Sequence, residues 1–192
     1  AFAFMFFYAP PVYCYLMPVA AVTAALLLFG YYCRKAYSHR LRKQVDEQLK
    51  ISVLSVVMMI LPVILLVVMI AGLWVRGENV RLVLAYGFTV FFGWITAIIL
   101  GMTFKTLPFI VWNKVYHKKA GLGKTPNPKS LFSDGAFTAM AVLYLAGFIL
   151  FVSGILLSVV LVLQTGALFL LLAAGLYNFN VAKIILHKPA ML

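Results

Sequence analysis

Three histidines (His39, His117, His187), four carboxylates (Asp46, Glu47, Glu78, Asp134) and two cysteines (Cys14, Cys33) are the residues most able to ligate a metal, relay a proton or act as a nucleophile. Every histidine and every carboxylate falls outside the long apolar runs. Axial ligation of a haem inside a membrane needs imidazole, thiolate or thioether at depth, and no histidine stands there. No acid is placed to relay protons or neutralise a cation within a run, as ion-coupled pumps usually require. A Ser-His-Asp or Cys-His arrangement cannot be assembled inside the runs from these residues. Cys14 and Cys33 lie nineteen residues apart, about 28 Å along a helix, far beyond disulfide reach. They read as small apolar residues facing lipid or other helices, with acylation of Cys33 beside Arg34 as a second reading.

The remaining polar candidates are of other kinds. Lys105 sits where an apolar segment continues through Thr106-Leu107-Pro108-Phe109-Ile110-Val111-Trp112. It either snorkels to water along its own aliphatic stem or meets an anion or propionate from another subunit. Tyr177, Asn178 and Asn180 form a polar group near one end of the last apolar run, read as interhelical hydrogen bonding or as a ligand site. Gly147, Gly154 and Ser158 share one helical face, and Gly87, Gly93 and Gly101 thin another segment. Such small residues let helix backbones approach where lipid removes the hydrophobic incentive to associate. A phosphate-loop reading of Gly121 to Pro128 is refused, because Lys118 stands where the motif needs its first glycine.

In composition, 65% of the residues are hydrophobic and 10% charged, with a mean hydropathy of +1.07. A soluble domain of this length has too little interior for that much apolar surface. Five runs are long enough to span the hydrocarbon as helices, which takes about 20 residues each. They cover roughly residues 12–33, 51–75, 82–104, 136–163 and 167–186. Pro62 should kink the second run. Ser133 or Asp134 should cap the fourth, and Gln164-Thr165-Gly166 reads as the turn into the fifth. From Leu82 to Trp112 a straight helix would measure about 46 Å, so it must tilt strongly or break before Pro108. The runs do not alternate as barrel strands do. The expected fold is all-α: a single polytopic transmembrane bundle.

The connectors set the orientation. Fourteen of the sixteen Lys and Arg residues lie in 34–50, in 105–135 or in the tail, whereas only Arg76 and Arg81 lie on the other side. That bias places both long connectors and the C-terminus in the cytoplasm and the N-terminus outside. Arg34, Lys35, Arg40, Arg42, Lys43 and Lys105 are the expected contacts to anionic headgroups or other anions. The formal charge of +12 is therefore assigned to a lipid bilayer and not to nucleic acid. Tyr37, Leu41, Val45 and Leu49 recur on one helical face of the first connector, which should rest on protein or in the headgroups. Trp74 and Trp112 are placed at interfaces, and mid-span Trp94 between helices. The opening AFAFMFFYAPP lacks the basic region of a signal peptide. The expectation is a piece of a longer protein, residues 1–8 being the tail of an earlier helix.

Ala85-Tyr86-Gly87-Phe88, Gly93-Trp94-Ile95 and Ile99 through Phe109 to Trp112, preceded by Arg42-Lys43 and Asp46, carry a family likeness. Across residues 40–116 the chain resembles small bacterial membrane proteins described as haem-copper oxidase subunit I-like. The resemblance implies a longer helical protein, with haem possible in the wider assembly. It supplies no ligand: Tyr86 stands where a histidine would be useful, and no His-Pro-Glu sequence occurs. No cofactor and no metal site are assigned to this chain, and no catalytic residue.

The reading is a multi-pass protein of the bacterial inner membrane, a non-catalytic subunit or C-terminal part of an oxidase subunit I-like assembly. Its partners are other membrane helices or subunits. One rival is a haem-dependent membrane oxidoreductase whose ligands lie in a missing portion. The other is a small-solute transporter with a cavity lined by Thr89, Thr96, Asn178 and Asn180.

Overall fold

The computed structural model describes residues 13–39, 47–75, 79–117 and 126–188. Of these, 92% are helical and none lies in a strand, which makes the class all-α. Among the described residues five helices are long and apolar enough to cross a membrane, which is compatible with an integral membrane protein. The chain divides into two units, residues 1–44 and 45–192. The expected earlier helix at residues 1–8 and most of the Tyr37–Leu49 stripe lie outside the described residues.

The first unit holds helix α1, Tyr13–Ser38, which carries Pro18 within its second turn and Lys35 in its last. Its end is closed locally, by the Ser38 hydroxyl and the His39 N–H on the Lys35 carbonyl at 2.9 and 3.1 Å.

In the second unit, the run expected at 51–75 is two helices, α2 (Glu47–Met58) and α3 (Ile60–Val75). The interruption at Met59 follows from Pro62. That residue has no N–H for the Met58 carbonyl four positions earlier, and its ring crowds that oxygen. Met59 instead closes the end of α2 with its N–H on the Ser55 carbonyl, 3.0 Å away. Ser55 is wholly buried and bonds its hydroxyl to Ser52 O, so this break sits in packed surroundings.

The third run is one continuous helical rod from Val80 to Tyr116. Of the two expectations at Pro108, the break is not what forms: Pro108 is buried inside an unbroken helix. The rod has three parts, α4 (Val80–Phe88), a π-helical segment (Thr89–Ile95) and α5 (Thr96–Tyr116). The π segment was not foreseen. Asn79 caps α4, its side-chain oxygen accepting from Arg81 N–H.

The boundary between the last two runs differs from the expected one. Helix α6 spans Asp134–Leu157 and α7 spans Val160–Ile185, so the turn is Ser158-Val159. Gln164-Thr165-Gly166 lies inside α7, and the fourth span does not reach residue 163. Ser158 adopts the left-handed conformation, φ 57°, and its N–H and that of Val159 both reach Gly154 O. A chain reversing in two residues forces the helices together from the first turn. Added Cβ atoms at Gly154 and Gly166 would lie 2.8 Å from Leu163 N and 2.7 Å from Phe151 N. Only glycine permits that approach. At the other end of α6, Ser133 is the cap, its hydroxyl accepting from Ala136 N–H at 3.4 Å.

The α6–α7 hairpin forms the largest helix interface, and α2 packs along α5. Between them the core is aromatic. Phe104 meets Phe132, Phe137 and Tyr177 with ring centroids 5.1–5.6 Å apart. A short 3-10 turn, Pro128–Leu131, drives Leu131 and Phe132 into this layer.

Candidate functional site

Two polar constellations tie the second unit together, one at mid-span and one at the end shared by α5 and α7. The first begins with the π segment. A wider turn leaves main-chain carbonyls unmatched by the regular ladder. Thr96 takes one, donating both its N–H and its hydroxyl to Phe91 O. Tyr144, buried on α6, donates its hydroxyl to Phe92 O and lies 3.4 Å from Gly93 O. Gly93 makes room for this crossing, because a Cβ there would lie 3.0 Å from the Phe148 ring. Phe88 stacks on Phe92, Phe148 and Phe151 around the same point. Within the segment, Trp94 Nε1 is buried without a hydrogen-bond partner.

The second constellation starts at Asn180, fully buried on α7. Its Oδ1 accepts from Ser133 N–H at 3.0 Å and its Nδ2 donates to Ser133 O at 3.2 Å. One side-chain amide thus satisfies both main-chain groups of the residue that caps α6. One turn earlier, the Tyr177 hydroxyl meets Thr103 Oγ1 at 3.3 Å, linking α7 to α5. Farther out, the hydroxyl of buried Tyr116 is hydrogen-bonded to His187 Nε2 at 2.9 Å, just past the end of α7. Trp112 donates Nε1–H to Pro126 O at 2.6 Å. This ties α5 to the residues that lead directly into the 3-10 turn.

The expected polar cluster of Tyr177, Asn178 and Asn180 therefore divides three ways: toward α5, onto its own helix, and onto the α6 cap. Asn178 is exposed and donates to Ala174 O at 2.9 Å. Among the helix-packing candidates, Gly147 and Gly154 lie against α7, Gly93 against Phe148, and Gly101 is buried. Gly87 faces open space. Ser158 is a turn residue, not a packing one, because the helix ends there in a left-handed cap. Lys105, Arg34 and Lys35 are exposed, and Arg40, Arg42 and Lys43 lie outside the described residues.

The sequence expectations do not include Tyr144 or Tyr116 as parts of a site; they mark Gly166 only as a turn residue and offer His187 only as a histidine outside the apolar runs. Tyr144 had a signal: it is the one phenol in the run 136–157, and a buried hydroxyl there must find an acceptor. The four residues of the transporter reading donate to four different carbonyls, those of Tyr86, Phe91, Ala174 and Ser133. Comparisons with protein-family models, with curated proteins and with solved structures give no match.

Proposed function

We propose that this chain is a non-catalytic helical subunit of a larger assembly in the bacterial inner membrane, related in fold to oxidase subunit I. Its N-terminus faces outward and its C-terminus the cytoplasm. One observation carries the structural role. Most of the hydroxyl and amide groups described within the spans are spent on the carbonyls of their own helix or on helix-to-helix ties. Ser55, Thr89, Thr96, Thr103, Tyr144 and Asn180 all donate to main-chain carbonyls. A hydroxyl so engaged has given up its one donor, and the Asn180 amide is held on both main-chain groups of Ser133. The cationic connectors add attraction to anionic headgroups, which fixes the bundle in the membrane and leaves its apolar sides for neighbouring helices.

The test is isolation from the native membrane in a mild detergent, followed by subunit identification and a reduced-minus-oxidised spectrum. The reading expects the chain to travel with other polytopic subunits, and any haem to remain with them when the chain is separated. Migration without other subunits, or a haem band that stays with the isolated chain, overturns it.

A further inference from the structure

We infer that the outward face of α7 is a docking seam for α7 of a second copy of this chain. Gln164, Leu168, Leu171, Gly175, Asn178 and Ala182 follow one another at alternating steps of four and three residues. That is the spacing of a left-handed helix pair. All six are exposed, and they lie opposite the face that carries Gly166, Ala173, Asn180 and Ile184 into the core. The seam rests only on α7 crossing the membrane, and not on the assembly role proposed above.

The two amides distinguish this face from one that merely meets lipid. At 1.5 Å per residue they lie about 13 and 8 Å from the midpoint of the helix, inside a hydrocarbon half-thickness of about 15 Å. Among the described residues Gln164 has no hydrogen-bond partner. Asn178 uses one amide hydrogen on Ala174 O, leaving its carbonyl and its second hydrogen. Polar groups in hydrocarbon are costly unless paired. Two copies inserted in one membrane have the same orientation, so their α7 helices run parallel. A two-fold axis along the normal then sets each amide against its own counterpart. An amide carries donor and acceptor together, so like meets like without frustration. Gly175 has nothing within 4 Å of a Cβ position, and it lets the backbones close between the two amides.

The experiment uses the full chain in its membrane with Cys14 and Cys33 replaced by serine. Leu171→Cys, on the seam, is compared under mild oxidation with Ile149→Cys, equally exposed on α6. The seam position should give a covalent dimer of twice the chain mass at a yield several-fold above the control. Adding Gln164→Leu and Asn178→Leu should lower that yield by about three- to tenfold, as expected for losing interhelical polar pairs. Equal yields at Leu171 and Ile149, or no loss on removing the amides, overturns the seam. An adduct of any other mass places a different subunit on this face and overturns it as well.

Discussion

At the residue scale, Asn180 has the most concentrated task. It answers both the N–H and the C=O of Ser133, and neither group has water to turn to when buried. Asn180→Leu removes the clamp while keeping a comparable volume. It should destabilise the helical unit by about 1–3 kcal/mol, the cost of leaving a buried main-chain group unanswered, measured as reversible unfolding in detergent. Ser133→Ala removes only the hydroxyl cap, so it should cost about 1 kcal/mol. Tyr177, Asn178 and Asn180 were visible in the sequence as polar residues in an apolar run. Their partners were not, because Ser133 and Thr103 are separated from them by 47 and 74 positions. A sequence shows that a buried amide needs company, and only the folded chain shows which peptide supplies it.

At the element scale, helix identity was legible and helix ends were uneven. Pro62 marked the break between α2 and α3, since a missing N–H acts within one turn. Ser133 marked the start of α6 for the same local reason. The α6–α7 turn escaped because Ser158 is a single weak turn former beside β-branched Val159, and two residues between apolar helices leave no dip in hydropathy. Gln164-Thr165-Gly166 has the composition of a turn, but its glycine serves close packing instead. The π segment escaped too, because its carbonyls are answered by Tyr144 from another helix. Gly166→Val tests the packing role. Its Cβ would fall 2.7 Å from the main-chain nitrogen of Phe151, and backbone cannot swing aside as a side chain can. A loss of about 1–3 kcal/mol is expected from such overpacking. Gly87→Ala meets open space and removes a flexible residue from a helix, so it should be neutral or stabilising by up to about 1 kcal/mol. Equal losses at both sites would mean that the close approach of α6 and α7 contributes nothing.

At the scale of the whole molecule, the question is which way the bundle faces. In the proposed topology each of the five span-length helices crosses once, so fixing any one connector orients every other. The charge asymmetry supplies the bias: fourteen basic residues would have to cross the membrane in the reversed orientation, against two in the proposed one. Each would be carried against the positive-inside tendency. Single cysteines in a background lacking Cys14 and Cys33 test this. Val80 opens α4 and is 69% exposed, and Ser130, also exposed, lies in the 3-10 turn between α5 and α6. In intact cells an impermeant thiol reagent should label Val80→Cys and spare Ser130→Cys. Ser130→Cys should react only after the membrane is opened. The reverse pattern would turn the bundle over and move the cationic connectors, with their headgroup attraction, to the outer face. Labelling of both sites in intact cells would make the number of crossings between residues 80 and 130 even. The continuous helix from Val80 to Tyr116 would then have to lie along the membrane rather than through it.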